Sequence, residues 1–150
     1  MKIIAHRGNL NGSLKEFENH PNYLLTALKK GYDVEFDLVY YHKKLFLGHD
    51  FPQYEFDPYQ FIKFKDRLWV HCKTSSTLDY FSNDKFLNKF NFFFHDNDLA
   101  TITSKGYIWT HTNCTVIKNS IKVIKHKIEN PELYKDLFGI CTDYPVFVNT

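Results

Sequence analysis

The sequence lacks the features that mark several large classes of protein. It contains no run of about 18 consecutive apolar residues, the length that a membrane-spanning helix requires, so no membrane span is expected. Its 19 basic and 17 acidic side chains are interspersed and leave a formal net charge of +2. Because no basic stripe forms, nucleic acid is not expected as a partner.

Cysteine is also scarce. Cys72, Cys114 and Cys141 are odd in number and unclustered, so they predict small buried thiols rather than a disulfide framework. The opening residues MKIIAHRG are too short an apolar stretch for a signal peptide and lack a small-residue cleavage site. Both observations favour a reducing, cytoplasmic setting.

Aromatic residues are plentiful, with 15 phenylalanines and 10 tyrosines among 150 residues, which is ample material for one core. Short apolar runs rich in aromatic or β-branched residues predict eight strands: 2–6, 33–41, 44–49, 67–73, 91–96, 107–112, 120–125 and 138–145. Amphipathic patterns and capping residues predict helices between some of them, at 19–31, 57–64, 75–81 and 130–139.

This alternation of strands and helices predicts an α/β fold with a mainly parallel sheet. Eight strands suggest a compact (β/α)8 TIM-like barrel that forms one domain over residues 1–150. A full barrel rarely has fewer than about 200 residues. The gaps 96–107 and 112–120 are also too short for ordinary crossover helices, so several outer helices are expected to be shortened or missing. An open doubly wound sheet is the alternative.

Ionisable side chains gather at the predicted strand ends, where the active sites of parallel α/β folds lie. Glu35 and Asp37 are two residues apart on one strand and therefore share a face. Two adjacent carboxylates repel each other unless a cation lies between them, so the pair predicts a divalent metal site with oxygen ligands. An ion pair with Arg7 or Lys73, or a solvated edge strand, would also explain the pair.

Two histidines and two cations complete the predicted site. His6 and His49 end neighbouring predicted strands and can serve as general acid and general base, because imidazole titrates near neutrality. Arg7 can bind two phosphate oxygens at once through its planar guanidinium group, and Lys73 can supply a point charge to the same anion.

Three segments together are similar to the opening of a known enzyme family. IIAHRG, FENHPNYLLTALKKGYDVEFDL and LFLGHD resemble the glycerophosphodiester phosphodiesterases in order and spacing over residues 3–50. That family has a His-Arg-Gly strand end, a Glu-Asn before its first helix, a Glu-x-Asp strand and a His-Asp strand end. YIWT and GICTDYP resemble its closing segments, whereas residues 51–105 match poorly and are shorter than usual.

The resemblance implies a metal-dependent phosphodiesterase with a TIM-barrel fold and a place in lipid metabolism. It implies that the acid–base pair is His6 and His49, that Arg7 holds phosphate, and that Glu35 and Asp37 ligate Mg²⁺ or Ca²⁺. Glu18 would then lie near the metal or the substrate.

One departure from the family pattern concerns the fourth strand, where the family usually has Glu-x-Lys. This sequence reads His71-Cys72-Lys73, so the lysine is kept and the glutamate is replaced. Strand alternation places His71 on the same face as Lys73, which predicts His71 as a metal ligand. An imidazole ligand shifts the preference toward Mn²⁺, Fe²⁺ or Zn²⁺. A structural histidine bonded to a neighbouring carboxylate, with no metal bound, is the alternative.

These observations predict a phosphodiester hydrolase that acts on glycerophosphodiesters or a related small, soluble phosphodiester. One alternative is a degenerate barrel that binds a phosphorylated ligand without turnover. Another is a metal-dependent hydrolase of different substrate range that uses His95 and His111 as extra ligands. The oligomeric state and the natural substrate are not fixed by the sequence.

Overall fold

A computed structural model describes residues 1–148 of the chain. These residues form ten strands: β1 (Lys2–His6), β2 (Asp33–Tyr41), β3 (Lys44–Leu47), β4 (Tyr54–Glu55), β5 (Leu68–Cys72), β6 (Asn91–Phe93), β7 (Ala100–Ile102), β8 (Ile108–Thr110), β9 (Ile121–Ile124) and β10 (Gly139–Thr142). They also form three α-helices and four 3-10 helices: α1 (Pro21–Lys29), α2 (Pro58–Phe61), α3 (Ser75–Asn83), and Ile62–Arg67, Leu87–Lys89, Pro131–Tyr134 and Pro145–Phe147.

All ten strands belong to one curled, mixed sheet. Its parallel part runs β6-β5-β2-β1-β10-β9-β8, and six of the nine strand pairings within residues 1–148 are parallel. The antiparallel pairs are β2 with β3, β3 with β4, and β7 with β8. The predicted α/β fold with a mainly parallel sheet is thus replaced by a mixed sheet in which parallel pairs are the majority, and each of the eight predicted strands is present in whole or in part.

The prediction of a (β/α)8 TIM-like barrel is wrong, because the strands do not alternate with helices. His42 and Lys43 form a tight turn with φ angles of 47° and 62°, so β3 folds back antiparallel on β2 as a hairpin. The connections 94–99 and 111–120 contain no helix, and the predicted helix at 130–139 is a single 3-10 turn, Pro131–Tyr134. The result is a curled half-barrel sheet with three short helices.

The helices cover only the convex face of this sheet. Leu24 of α1 and Phe81 of α3 belong to the same buried cluster as Phe36 of β2 and Val70 of β5. An open doubly wound sheet requires helices on both faces, so that alternative is also not observed within residues 1–148.

The concave face is closed at its centre by a second buried cluster. Its members come from six strands and alternate with the residues of the convex face: Ile4, Trp69, Phe93, Trp109, Ile121, Val123 and Cys141. The rings of Phe93 and Trp109 lie 4.5 Å apart, and the amide of Ser104 donates to the carbonyl of Phe92 at 2.7 Å, so the two ends of the curled sheet touch. This cluster forms a solid floor beneath the carboxyl ends of the parallel strands.

Helix α1 illustrates how the local sequence sets the loops around that end of the sheet. It begins after His20, whose ring nitrogen accepts the amide of Asn22 at 3.2 Å, and it buries Leu24, Ala27 and Leu28. The start of α1 thereby fixes the preceding loop, residues 7–20, over the concave mouth. None of the helices formed by residues 1–148 has both the length and the apolar character that crossing a membrane would demand.

Candidate active site

A cavity of about 320 Å³ lies above the apolar floor, at the carboxyl ends of the parallel strands. Seven of the eight residues predicted for the site line it: His6, Arg7, Glu35, Asp37, His49, His71 and Lys73. The eighth, Glu18, lies behind Arg7 and accepts a hydrogen bond from its guanidinium group at 2.9 Å. The predicted grouping of these side chains is therefore present, although the fold that was predicted to bring them together is not.

Strand β2 carries the two carboxylates at the centre of the site. Glu35 pairs with His6 of β1, and Asp37 pairs with His71 of β5, so parallel register places the four side chains on one face of the sheet at two successive levels. Both carboxylates are buried, with exposures of 3% and 0%. A solvated edge strand therefore does not explain the pair.

Glu35, Asp37 and His71 form a compact group whose potential ligand atoms all lie within 4.8 Å of one another. His71 Nδ1 is 3.0 Å from Asp37 Oδ1 and 3.9 Å from Glu35 Oε1. The contact with Asp37 is short but poorly directed. Among residues 1–148, Asp37 Oδ1 consequently has no hydrogen-bond partner, although it is buried. A buried carboxylate oxygen without a donor is costly, and a cation at this group would satisfy it.

The ring of His71 is held so that Nδ1 faces the two carboxylates. Its plane is fixed by stacking on Phe93 at 5.0 Å and on His95 at 4.5 Å between ring centroids. On the opposite side, Nε2 lies 3.5 Å from the carbonyl oxygen of His95, to which Nε2–H can donate. Metal-binding histidines commonly donate their second ring nitrogen to a backbone carbonyl in this way, which leaves the first free as a ligand.

The two carboxylates differ in their ionisation. Burial raises the pKa of Glu35, and repulsion from Asp37 raises it further, while His6, His71 and Arg7 oppose the rise in part. The pKa of Asp37 lies well below its ordinary value, because its close contact with His71 and the positive charges of Arg7 and Lys73 outweigh the effect of burial. Asp37 is therefore the permanent anion of the pair.

Asn19, which precedes α1, fixes the position of Asp37. Its side-chain oxygen accepts the Asp37 amide at 2.9 Å, and its side-chain nitrogen donates to Asp37 Oδ2 at 3.1 Å. Oδ2 is thereby engaged, and Oδ1 is left facing Glu35 and His71. Asn19 itself adopts a left-handed conformation, with φ of 62°, which asparagine tolerates better than most residues.

Arg7 connects the metal group to the loop before α1. Its φ of 52° turns the chain so that its amide donates to Glu35 Oε2 at 3.2 Å, while the side chain lies between Glu18 and Asp37. Burial alone would lower the pKa of Arg7, but the surrounding carboxylates raise it above its ordinary value. The guanidinium group is thus fixed in position and always charged, as a phosphate-binding arginine must be.

Glu18 belongs to the support of Arg7. It accepts hydrogen bonds from Ser13 at 2.5 Å, from Asn9 at 3.0 Å and from Arg7. Burial opposes ionisation, but these three donors prevail and lower the pKa of Glu18 to about 2. The prediction that Glu18 lies near the metal or the substrate is therefore met only indirectly, through Arg7.

His6 has a partner to which the sequence analysis gave no role. Its Nδ1 lies 2.7 Å from Asp143 Oδ1, at the end of β10, and its Nε2 faces Glu35 at 4.0 Å. The same Asp143 oxygen accepts from the buried amide of Asn9 at 2.7 Å. The arrangement holds a proton on Nδ1 and leaves Nε2 free toward the cavity. Asp143 lies in the segment GICTDYP, so its position at a strand end could have indicated this role. No local sequence pattern indicated a role for Asn9.

His49 lines the cavity, but it follows an antiparallel strand rather than the predicted parallel one. It follows β3, which is antiparallel to β2, and the amide of Gly48 donates to the carbonyl of Asp37 at 3.1 Å. A Cβ atom at Gly48 would overlap the carbonyl of Phe51, so this close approach needs glycine. His49 Nδ1 lies 2.6 Å from Asp50 at the half-exposed rim. Because β5 pairs with the other edge of β2, β1 and β3 lie along the same edge, and both His6 and His49 line the cavity from that edge.

Similarity to known proteins does not assign this chain to a family. Comparisons with family models, curated proteins and solved structures find no match. The similarity to glycerophosphodiester phosphodiesterases therefore remains a prediction that rests on the quoted segments. The predicted place in lipid metabolism finds no support and is withdrawn.

The far wall of the cavity carries His95 and His111, the extra ligands of the third hypothesis. The His95 ring stacks face to face on His71, so its nitrogens do not converge with those of His71 on one ion. Burial lowers the pKa of His95 to about 4, with help from nearby cationic groups, and it lowers that of His111 as well. Both rings are therefore neutral at pH 7, and neither belongs to the candidate metal group found within residues 1–148.

Lys73 occupies the position predicted for an anion-binding cation. Its ammonium group lies 3.8 Å from Asp37 Oδ1, and its side chain is largely buried at the cavity wall. Together with Arg7 it gives the metal side of the cavity two fixed positive charges. A site with two carboxylates, an imidazole, two cations and two further histidines suits the transfer of a phosphoryl group.

Proposed function

We propose that the protein is a metal-dependent phosphodiester hydrolase that acts on a small, soluble phosphodiester, with glycerophosphodiesters as the first substrates to test. The observation that carries the proposal is the buried oxygen Asp37 Oδ1, which lies in a group of three potential metal ligands and in no well-directed hydrogen bond among residues 1–148. It faces Glu35 and His71, which offer two further ligand atoms. Carboxylates and imidazole are ligands that divalent cations take, and the same cavity also holds the cations Arg7 and Lys73.

The metal would be held by Glu35, Asp37 and His71. When bound, a divalent cation would polarise a phosphoryl oxygen and neutralise negative charge. Two carboxylates and one imidazole form a mixed set, and the imidazole favours Mn²⁺ or Zn²⁺ more than an all-oxygen set would, although Mg²⁺ or Ca²⁺ follows from the resemblance.

Arg7 and Lys73 would hold the phosphate. Nε and one terminal nitrogen of Arg7 face Asp37 and Glu18, which fix the plane of the guanidinium group and leave its other terminal nitrogen free to donate. Lys73 adds a positive charge on the other side of Asp37. Both charges would stabilise the negative charge that develops on the phosphoryl oxygens.

His6 and His49, which both line the cavity, would transfer protons at the phosphate. His6 has a defined tautomer because Asp143 holds Nδ1, so Nε2 can accept or return a proton. His49 is oriented similarly by Asp50. One histidine would deprotonate the attacking hydroxyl, from water or from the substrate's own glycerol, and the other would protonate the departing alcohol.

The surroundings of the site fit a small-molecule substrate in a reducing, cytoplasmic compartment. Cys72, Cys114 and Cys141 are free thiols, and burial raises the pKa of Cys72 to about 12, which makes that thiol unreactive. The even mixture of charges across the chain gives no support to nucleic acid as a partner.

A metal analysis joined to an activity assay tests the function. Protein purified without chelator is expected to carry close to one equivalent of a divalent metal. It should hydrolyse bis-(p-nitrophenyl) phosphate, and treatment with EDTA should abolish the activity until metal is returned. Tight binding of a phosphorylated ligand with no turnover in any metal would favour the non-catalytic alternative. Turnover that survives complete metal removal would refute the metal-dependent mechanism.

The replacement His71→Glu should change the metal preference. A third carboxylate supplies a hard oxygen ligand and restores a negative charge, so activity with Mg²⁺ or Ca²⁺ is expected to rise by about tenfold relative to Mn²⁺ or Zn²⁺. The ratio should be measured at temperatures where variant and wild type are equally folded. His71→Gln serves as the control, because it removes the imidazole without adding charge. An unchanged ratio in His71→Glu would mean that His71 is a structural residue only.

A further inference from the structure

The lining of the cavity indicates the kind of substrate that it accepts. Eleven of its thirteen lining residues are polar or charged; the exceptions, Trp109 and Val123, belong to the floor. Such a lining offers little apolar surface to an acyl chain, so it favours a hydrophilic phosphodiester. The cavity also extends well beyond the metal group, across to strands β6, β8 and β9.

The cations on the metal side of the cavity are already paired with carboxylates. Arg7 lies within 3 Å of Glu18 and Asp37, and Lys73 lies 3.8 Å from Asp37. These cations neutralise buried carboxylates as well as facing the proposed phosphate position. A second anionic group on the substrate would therefore need a cation elsewhere in the cavity.

Lys125 is that cation. It continues the concave face of β9, two residues beyond Val123, and it lines the cavity on the wall opposite the metal group. Within residues 1–148 no carboxylate lies within 4 Å of its ammonium group. Two carboxylates lie near this wall: Asp96 is exposed and accepts from Asn97, and Asp143, next to Lys125 in the register of β9 and β10, is engaged by His6 and Asn9.

The neighbours of Lys125 do not supply a compensating negative charge. His111 lies close enough for Lys125 to lower its pKa, in addition to the effect of burial, and so stays neutral near pH 7. The wall thus presents an exposed ammonium group without an ion pair within 4 Å among residues 1–148, beside a neutral imidazole that can donate or accept a hydrogen bond. That combination suits an anionic oxygen group such as a phosphate or carboxylate.

We propose that Lys125 determines substrate specificity by binding an anionic group on the second alcohol of the phosphodiester. The substrate class is then a small phosphodiester in which one alcohol carries a further phosphate or carboxylate. This inference rests on the proposed function, because it takes Arg7 and Lys73 as the position of the scissile phosphate. His111 would lie beside the second anion and orient it.

Calorimetric binding of paired ligands tests the inference without relying on turnover. The probes are propanediol, butanediol and pentanediol bisphosphates, each compared with its own monophosphate, so that three spans between the anions are covered. At least one bisphosphate is expected to bind about tenfold tighter than its monophosphate, the gain of one further charge-assisted contact. Lys125→Gln should reduce that ratio to about twofold or less.

Lys127→Gln is the matched control. It removes the same charge two residues away, from a lysine that packs on the ring of Phe147 outside the cavity, and it should leave the ratio unchanged. A second variant, Lys73→Gln, should weaken monophosphates and bisphosphates alike, because it removes a charge at the first phosphate position.

The outcomes separate the two proposals. If monophosphates bind and Lys73→Gln weakens them, but no bisphosphate is favoured, then the phosphate site stands and the role of Lys125 is refuted. The same conclusion follows if the bisphosphate advantage survives Lys125→Gln. If neither kind of ligand binds, the phosphate position fails, and both proposals fall.

Discussion

Replacing Glu35 and Asp37 together by their amides is expected to abolish the thermal stabilisation of the protein by divalent cations. A ligand that binds only the folded state at 100 times its Kd adds about 2.7 kcal/mol, which corresponds to roughly 5–10 °C in Tm for a chain of this length. Amides of the same shape keep the packing but remove both negative charges, so this increment should vanish. The measurement is the difference in Tm with and without metal.

The metal-dependent difference is the quantity to compare, because the double variant also changes the metal-free protein. It relieves the repulsion between the carboxylates, but it leaves Arg7 with fewer partners. Asp33→Asn provides the control: Asp33 is a buried carboxylate at the start of the same strand, paired with Lys2 at 3.0 Å and outside the cavity lining. Its metal-dependent shift should equal that of wild type. If wild type shows no shift with Mg²⁺, Ca²⁺, Mn²⁺ or Zn²⁺, the metal site does not exist.

The strands and the members of this site could be predicted because both depend on short-range patterns. Alternation along β2 places Val34 and Phe36 on one face and Glu35 and Asp37 on the other, and the structure has that arrangement. The same reasoning placed His71 beside Lys73. Side chains at the carboxyl ends of parallel strands meet wherever those strands lie in one curled sheet, whether or not helices separate them.

The connections could not be predicted in the same way. The turn at His42 and Lys43 contains neither glycine nor asparagine, so no hairpin signal marks the point where β3 returns along β2. Strands β4 and β7, of two and three residues, are too short to produce a periodic signal. The number of helices depends on the connections between strands, so errors in the connections made the barrel prediction wrong. The grouping of the site residues depends on the strands, so it was largely unaffected by those errors.

The supporting residues of the site were missed for a related reason. Asn9 is 134 residues from Asp143 in the chain, and its amide links Asp143 to Glu18 only after β1 and β10 have paired. A lone asparagine after a strand is ordinary in a sequence, and only the long-range pairing gives it a role. Residues that support a site through such contacts become visible only in three dimensions.

Removal of either proton-transferring histidine is expected to slow turnover strongly. His6→Ala and His49→Ala should each lower kcat by about 10²-fold or more, the usual contribution of general acid–base catalysis. KM should change less, because phosphate binding is assigned to Arg7 and Lys73. His126→Ala, at an exposed histidine outside the cavity, is the control and should retain wild-type kinetics. Activity within threefold of wild type in either cavity variant would remove that histidine from the mechanism.

Asp143→Asn tests the geometry that makes His6 effective. Asp143 acts as a positioning residue, because its oxygen lies 2.7 Å from His6 Nδ1 and touches no proposed substrate position. The amide can present NH₂ as well as oxygen to the ring, so His6 should divide between its two tautomers and kcat should fall by about 10²-fold with KM nearly constant. Nitrogen-15 NMR of the His6 ring should show the Nδ1–H form in wild type and a mixture in the variant. A variant with the wild-type tautomer but reduced kcat, or with mixed tautomers and full activity, would contradict the assigned role.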